Sequence, residues 1–326
     1  MKEQRNSTFD ILKGIGILCV IAGHSRISPF LTQFVFSFHM PLFFLVGGYF
    51  YKLRRTDKAY VQWNIRRLFY PYVFTCLIYI IYAIISRFVP QLERHGLFGT
   101  IIASLYGSGS PQNSYILNSL PMLGAIWFLP ALFWCKLLYN ILSNKFQSAS
   151  LHIVVLAASI FAMLAHKIFS PPLSLFQGMT AVVFFHIGYL YRHHAPSFYM
   201  LIVCFICWCI SICYSHIYLV TCTMKLYPID ILGACGGTYF MYLLSTCIAR
   251  VDGLKTIFEK CGVLSMPILC FHFLELHIRV GMQLHLRGIF SYIFSFAFPI
   301  IMSYLFLQTK LGQLIFEPMK VDNSAR

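Results

Sequence analysis

Long apolar segments, separated by short polar or charged connections, follow one another along the whole chain. A membrane hydrocarbon core about 30 Å thick is crossed by a helix of roughly 20 apolar residues. Ten segments approach this length, and each is therefore predicted to be a helix within a membrane. They are residues 9–30, 33–53, 68–88, 122–142, 151–169, 174–191, 198–219, 228–249, 263–282 and 288–308.

The connections between these segments are too short for a separate soluble domain, and no internal repeat is evident. The longest, residues 89–121, mixes Gly, Ser, Pro and Asn around one apolar patch, which is typical of a short interfacial or re-entrant helix. The first segment lacks a convincing small-residue cleavage site and is expected to be a retained helix. The sequence thus predicts an all-α, polytopic membrane protein with one domain over residues 1–326.

The composition supports a membrane location. Hydrophobic residues make up 59% of the chain and charged residues 11%, whereas soluble domains average about 45–50% and about 25%. This excludes ordinary soluble enzymes, disordered chains and the usual nucleic-acid-binding modules, so no nucleic-acid partner is predicted from the net charge of +15. With the N-terminus inside, 17 Lys and Arg residues fall on the cytoplasmic side and 7 on the other. This bias predicts a multi-pass protein of the cell (inner) membrane with both termini in the cytoplasm.

Twelve cysteines are present, nearly all of them inside apolar segments. The densest group, Cys204, Cys207, Cys209 and Cys213, has apolar neighbours, whereas a metal site needs thiolates with polar neighbours and a hydrophilic approach. The cysteines are therefore predicted to be small buried hydrophobic residues, and no metal site is expected.

Within the first segment, the stretch FDILKGIGILCVIAGHS carries Asp10, Lys13 and His24. Charged groups inside a membrane are costly, so they are functional candidates by default. At about 100° per residue all three project from one helical face, and His24 lies about 16 Å from Lys13 along the helix axis. Two interpretations stay open. Asp10 and Lys13 either form an interfacial ion pair while His24 ends the helix, or all three belong to one site.

The second segment contains FVFSFHMPLFFLVGGYFY, which places His39 roughly 7–8 Å below its outer end. His24 lies at a comparable depth in the first segment, so the two histidines are predicted to meet. Pro41 is expected to kink the helix, and Gly47 and Gly48 are expected to permit close helix packing.

RNSTFDILKGIGILCVIAGHS followed by FSFHMPLFFLVGGYF resembles the opening of the membrane-bound acyltransferase-3 family, especially the branch similar to fucose 4-O-acetylases and related sugar O-acetyltransferases. The resemblance continues in IRRLFYPYVF, GAIWFLPALFW, VVFFHIGYLYR and SMPILCFHFLELH, and so covers nearly the whole chain. Lys13 and His24 match the family pattern of a basic residue, ten residues and a histidine. A second family feature, two arginines separated by two residues, is not met, because Arg66 and Arg67 are adjacent.

The resemblance implies transfer of an acyl group, most often acetyl from cytoplasmic acetyl-CoA, to a hydroxyl of an envelope saccharide or its lipid-linked precursor. The donor is then a co-substrate, and no bound cofactor is expected. The predicted catalytic residues are His24, His39 and Asp10. His24 would act as a general base, or alternatively as an acyl-carrying nucleophile.

The anionic donor is predicted to bind three basic residues, Lys13, Arg66 and Arg67. Arg54, Arg55 and Lys58 lie in the same connection, and for them a solvated positive-inside loop is an equally open interpretation.

Other polar residues are weaker candidates. His272 and Glu275 are an i,i+3 pair that either supports the site or is mutually satisfied. Trp127 either packs at a pocket wall or anchors an interface, whereas His186 and Asp230 are predicted to pack or to cap. The outer-connection residues at which an acceptor sugar could dock are Tyr106, Ser108 and Asn113.

The alternative function is a multi-pass transporter or proton-coupled exporter that uses Asp10, Lys13, His24 and Glu275 as a path. Neither paired broken helices nor an inverted repeat is evident in the sequence, so the acyltransferase is favoured. Its expected partners are acyl-CoA, a saccharide or lipid-linked glycan acceptor, and membrane lipid.

Overall fold

The computed structural model describes residues 6–25, 28–54, 58–89, 96–110, 120–281 and 289–316, with the backbone alone for residues 275–281 and 289. This part of the chain is almost wholly helical, and its strands are limited to a short antiparallel pair, β1 (Ile217–Tyr218) and β2 (Thr223–Met224). The predicted all-α fold is confirmed.

Fifteen α-helices are described, and each of the ten predicted segments overlaps at least one of them. They are α1 (Ser7–His24), α2 (Pro29–Phe36), α3 (His39–Tyr49), α4 (Lys58–Asn64), α5 (Tyr70–Ile85), α6 (Leu97–Tyr106), α7 (Phe128–Lys145), α8 (Ser148–His166), α9 (Leu175–His193), α10 (Phe198–Tyr214), α11 (Tyr227–Ile248), α12 (Asp252–Val263), α13 (Ser265–Gly281), α14 (Ile289–Leu307) and α15 (Lys310–Phe316). A π-helix, Ile65–Phe69, joins α4 to α5, and 3₁₀ turns cover Gly124–Trp127 and Leu219–Thr221.

Seven described helical segments are long and apolar enough to cross a membrane, and the number is eight if α12 and α13, bent by 74° at their junction, form one span. A polytopic membrane protein is thereby confirmed. The segments predicted over 174–191 and 198–219 are helical as α9 and α10 but fall outside this set. α10 has only 17 residues, and α9 interrupts its apolar sequence with polar residues such as Gln177 and His186. The short helix predicted within the longest connection is present as α6.

The second predicted segment forms one candidate span, Pro29–Tyr49, whose helix is interrupted just before its proline. α2 ends at Phe36 and α3 begins at His39, so Ser37 and Phe38 interrupt the helix before Pro41 is reached. Pro41 is the third residue of α3, where a backbone N–H would have no acceptor within the helix. The proline therefore sits at a helix start, and His39 becomes the first residue of a new helix.

α1 is held against α12 by the close approach of two glycines. A Cβ atom on Gly262 would lie 1.7 Å from the carbonyl oxygen of Asp10, and one on Gly14 would lie 2.1 Å from the carbonyl oxygen of Phe258. Gly48 of α3 packs on α9 in the same way, because a Cβ atom on Gly48 would lie 1.8 Å from the carbonyl oxygen of Phe185. Such backbone contact is how small residues bring membrane helices together.

Gly262→Ala is expected to lower the free energy of unfolding by about 1–3 kcal/mol, because the added methyl group must push α12 away from α1. The measurement is the unfolding midpoint of the purified protein in detergent. Gly253→Ala in the same helix is the matched control, since nothing lies within 4 Å of its Cβ position. Equal midpoints for the two variants would contradict the close contact.

Candidate active site

His24 is the last residue of α1, and its side chain is exposed. Three aromatic rings pack around the imidazole. The ring centroids of Phe273, His272 and Phe36 lie 4.8, 5.6 and 6.0 Å from that of His24. The sequence placed His24 and His272 in different helices, and the fold brings their rings into contact.

His39 lies on the other side of Phe36. Its ring centroid is 4.8 Å from that of Phe36, and it is close enough to His24 for the two imidazoles to interact electrostatically. His39 is buried, and its Nδ1 lies 2.8 Å from the carbonyl oxygen of Val35. Because a carbonyl oxygen only accepts, Nδ1 carries the hydrogen, and Nε2 of the neutral ring presents a lone pair.

His272 of α13 has the same arrangement. It is 5% exposed, and its Nδ1 lies 2.8 Å from the carbonyl oxygen of Leu269. Its Nε2 is buried and has no hydrogen-bond partner in the described part of the chain. The side chain of Glu275, predicted to pair with it, lies outside the described residues.

The 3₁₀ turn before α7 forms one wall beside these histidines. Gly124 has a φ of +73°, and a Cβ there would lie 2.1 Å from the Phe273 ring. Trp127, at the end of the same turn, is 4% exposed and packs over Gly109, whose Cβ position is 2.1 Å from the indole Cδ1. Since the indole is buried against protein, Trp127 is part of a wall and not an exposed anchor.

The long connection between α5 and α7 is fixed mainly by backbone hydrogen bonds. The N–H of Leu123 donates to the carbonyl oxygen of Ser108 at 2.8 Å, and that of Ser174 donates to the carbonyl oxygen of Tyr106 at 3.1 Å. Ser108 is fully buried and Tyr106 is half-buried. Asn113 lies outside the described residues.

Asp10 and Lys13 form an ion pair at the other end of α1. The Lys13 Nζ lies 2.6 Å from Asp10 Oδ1, with the carboxylate buried and the lysine side chain 30% exposed. The pair lies at the contact with α12, because the backbone of Asp10 is the surface on which Gly262 packs. Eleven residues of helix, about 16 Å, separate Lys13 from His24.

Arg67 belongs to a third group of residues. The guanidinium carbon of Arg67 lies 5.2 Å from the centroid of the Trp63 ring, and the Nζ of Lys136 lies 5.0 Å from the same centroid. Both distances are within the range of cation–π attraction. Lys136 also interacts electrostatically with Arg54. Arg66 is exposed, and no contact of it with this group is found among the described residues.

This basic cluster, Arg54, Trp63, Arg67 and Lys136, has no carboxylate paired with it in the described ranges, where the ion pair found is Lys13–Asp10. Arg67 was predicted from the sequence as a donor-binding residue, whereas Lys136 and Trp63 were not. The signal for Lys136 was present, because a lysine in the middle of a predicted membrane helix is itself a functional candidate. Its approach to Trp63 depends on the tertiary packing of α7 against the π-helix and was not predictable.

A polar network fixes the connection that carries Arg54. The Tyr51 hydroxyl donates to Asn140 Oδ1 at 2.6 Å, and the Arg54 N–H donates to the same oxygen at 3.3 Å. Burial raises the pKa of Tyr51 to about 12. The hydroxyl therefore stays protonated at neutral pH and remains a donor to α7.

Asp230 and His186 lie in separate hydrogen-bonded groups. The Asp230 carboxylate accepts bonds from the hydroxyls of Ser211 and Ser215, both at 2.7 Å, and from the N–H of Leu226 at 2.8 Å. It therefore caps the start of α11 and ties it to α10.

His186 of α9 joins helices on either side. Its Nδ1 lies 2.9 Å from the Tyr139 hydroxyl of α7, and its Nε2 lies 2.6 Å from Nδ1 of the exposed His152 of α8. This chain of bonds links three helices within the α7–α9 bundle.

Comparison with protein-family models matches residues 6–308 to the acyltransferase-3 family, under the description "Acyltransferase domain". The chain therefore belongs to this family, as the resemblance of its first two segments indicated, and the membership supports membrane acyltransferase activity over transport. Comparisons with curated proteins and with solved structures give no significant match.

Lys13→Met is expected to lower the free energy of unfolding by about 3 kcal/mol, because it removes the cation that pairs with a buried carboxylate. The double variant Asp10→Asn/Lys13→Met should lose less free energy of unfolding than Lys13→Met alone, since no unpaired buried charge then remains. Denaturation of these two variants and of the single variant Asp10→Asn in detergent gives the coupling free energy. Additive losses would contradict an energetically coupled pair.

Proposed function

We propose that the protein transfers an acetyl group from acetyl-CoA to a hydroxyl of an envelope saccharide or its lipid-linked precursor. The observation that carries this proposal is the group of three imidazoles, His24, His39 and His272, at one end of α1 in a chain of the acyltransferase-3 family. Imidazoles supply the proton transfer that attack by a hydroxyl requires.

In the proposed reaction the acceptor oxygen attacks the thioester carbonyl carbon while His24 takes the hydroxyl proton. A carbon–oxygen bond forms, the carbon–sulfur bond breaks, and CoA leaves with the electron pair on sulfur. His24 is the best candidate for the base because its side chain is exposed and accessible to an acceptor, whereas His39 and His272 are buried. The fixed Nδ1–H of His39 leaves its Nε2 lone pair available to orient the acceptor.

Acetyl-CoA is a polyanion, and its phosphates are proposed to bind the basic cluster, with Arg66 beside it. Like charges held close together repel one another unless an anion is present. The Trp63 ring offsets part of this repulsion through its negative face. A phosphate would be stabilised there by charge-assisted hydrogen bonds from Arg67 and Lys136.

The donor is proposed to enter from the cytoplasm, which follows from the excess of Lys and Arg assigned to that side. Successive spans alternate in direction, so the start of α1, the connection between α3 and α4, and the end of α7 share one side. The basic cluster and the Asp10–Lys13 pair then lie toward the donor side, and His24 lies toward the acceptor side. In this arrangement α1 extends from the donor-binding end to the reacting groups.

His24→Ala is expected to reduce acetyl transfer by 10²–10⁴-fold, the usual contribution of a general base, while CoA binding is retained. Membranes from a deletion strain, which supply the native acceptor, would be incubated with labelled acetyl-CoA and the label in glycan measured. His166→Ala is the matched control, because it removes a histidine at the end of α8, outside the candidate site. This variant should transfer acetyl groups at the wild-type rate. Wild-type transfer by His24→Ala would exclude His24 as the base.

Lys136→Met is expected to weaken CoA binding by roughly ten- to a hundred-fold, because one charge-assisted hydrogen bond contributes about 1.5–3 kcal/mol. Binding would be measured on purified protein by calorimetry at fixed ionic strength. Lys145→Met is the matched control, since Lys145 is exposed at the end of the same helix. If both variants bound CoA with wild-type affinity, the basic cluster would not be the donor site.

A further inference from the structure

His272 has one satisfied and one unsatisfied ring nitrogen. Nδ1 donates to the carbonyl oxygen of Leu269, and Nε2 is buried with no hydrogen-bond partner among the described residues. An unpaired buried polar atom destabilises the fold by about 1–3 kcal/mol. The lone pair on Nε2 therefore favours any nearby donor that can turn toward it.

His24 is the polar group in ring contact with His272. The two centroids are 5.6 Å apart, and the ring planes are inclined by 41°. His152 and His186 provide a comparison within the same protein, because they are hydrogen-bonded at 2.6 Å with centroids 4.9 Å apart. The His24–His272 pair is thus slightly more open than a bonded imidazole pair.

His24 is also the member of the pair that can move. It lies at the end of α1 with an exposed side chain, and no hydrogen bond to its ring is found among the described residues. His272 is buried and held by Leu269. Moving the His24 ring from 5.6 Å to the 4.9 Å centroid separation of the bonded pair would bring it within hydrogen-bond range of His272.

We propose that His272 is the positioning residue of His24, with Nε2 of His272 accepting a hydrogen bond from the His24 ring while the other His24 nitrogen faces the acceptor hydroxyl. This inference rests on the proposed acyltransferase function. In many catalytic triads a carboxylate orients the base, and here the neutral His272 would orient His24 in the same way.

In the proposed arrangement the proton of the acceptor moves to His24 and no further. The acceptor hydroxyl gives its proton to the free nitrogen of His24, which becomes an imidazolium. The second N–H of that imidazolium donates to His272, whose own Nδ1–H stays on the Leu269 carbonyl. No proton leaves His272, and the positive charge on His24 gains a charge-assisted hydrogen bond beside the aromatic rings of Phe36 and Phe273.

Among the described groups around His24, His272 is the best placed to accept a hydrogen bond from its ring. Among the described side chains, the titratable groups that interact with His24 are His39 on α3 and His272 on α13. Phe36 packs between His24 and His39, and Phe273 covers the remaining side. His272 therefore makes the direct ring contact with His24.

The test compares His272→Phe, which keeps a ring but removes the acceptor, with His272→Gln, whose side-chain oxygen can accept. Transfer from labelled acetyl-CoA to the glycan of deletion-strain membranes would be measured for each variant across pH, with CoA binding and the unfolding midpoint measured on purified protein. His166→Phe is the control for loss of a histidine outside the site.

His272→Phe should lower kcat roughly 10²-fold, as misplacement of a catalytic group does, with KM for acetyl-CoA unchanged. The ascending limb of its pH–rate profile should move to lower pH by about one unit or more, since the imidazolium has lost its acceptor. His272→Gln should stay within about tenfold of wild type.

Three results would overturn the inference: wild-type kcat and pH profile in His272→Phe, equal losses in the Phe and Gln variants with unfolding midpoints intact, or a matching loss of CoA binding. No transfer by the wild-type protein would overturn the proposed function itself, and with it this inference. Loss confined to the His272 variants would leave the proposed function standing.

Discussion

The contact of α1 with α12 through Gly14 and Gly262 is the constraint on which the arrangement of the site depends. It fixes α1 against a helix pair that bends by 74° immediately after Gly262. Because α13 runs from that bend toward the end of α1, His272 comes to lie against His24. A shift of α12 by one helical turn would move α13 by about 5.4 Å and separate the two imidazoles.

Most polar side chains in the apolar segments are satisfied within their own helix. Thr75, Ser104 and Ser245 each donate to the carbonyl oxygen four residues earlier, at 2.7–2.8 Å. Several buried polar atoms among the described residues differ from this pattern, including Nε2 of His272, and the ammonium of Lys136 lies over Trp63. His272 and Lys136 also lie beside other candidate site residues, and such polar groups are natural positions for substrate or for a moving catalytic group.

Much of the fold and part of the candidate site were predictable from the sequence, because they depend on residues that are close together in the chain. Apolar length alone located a helix in each of the ten predicted segments, and the three-residue spacing of Asp10 and Lys13 brought their side chains together. The interruption of the helix at Ser37 and Phe38 was not predictable. A proline is tolerated in the first turn of a helix, so Pro41 does not determine the residue at which that helix begins. The contact of His24 with His272 joins residues far apart in the sequence. It depends on the bend between α12 and α13, which no local pattern indicates.

The bonds of His186 have a consequence for protons in the α7–α9 bundle. A neutral imidazole carries one ring hydrogen, so its two hydrogen bonds must run in the same direction. If His186 donates to His152, the Tyr139 hydroxyl must donate to His186; if Nδ1 of His152 carries a hydrogen and donates instead, Tyr139 must become the acceptor. The direction in which a fully buried hydroxyl points on α7 is therefore set by which ring nitrogen of an exposed histidine on α8 carries the hydrogen.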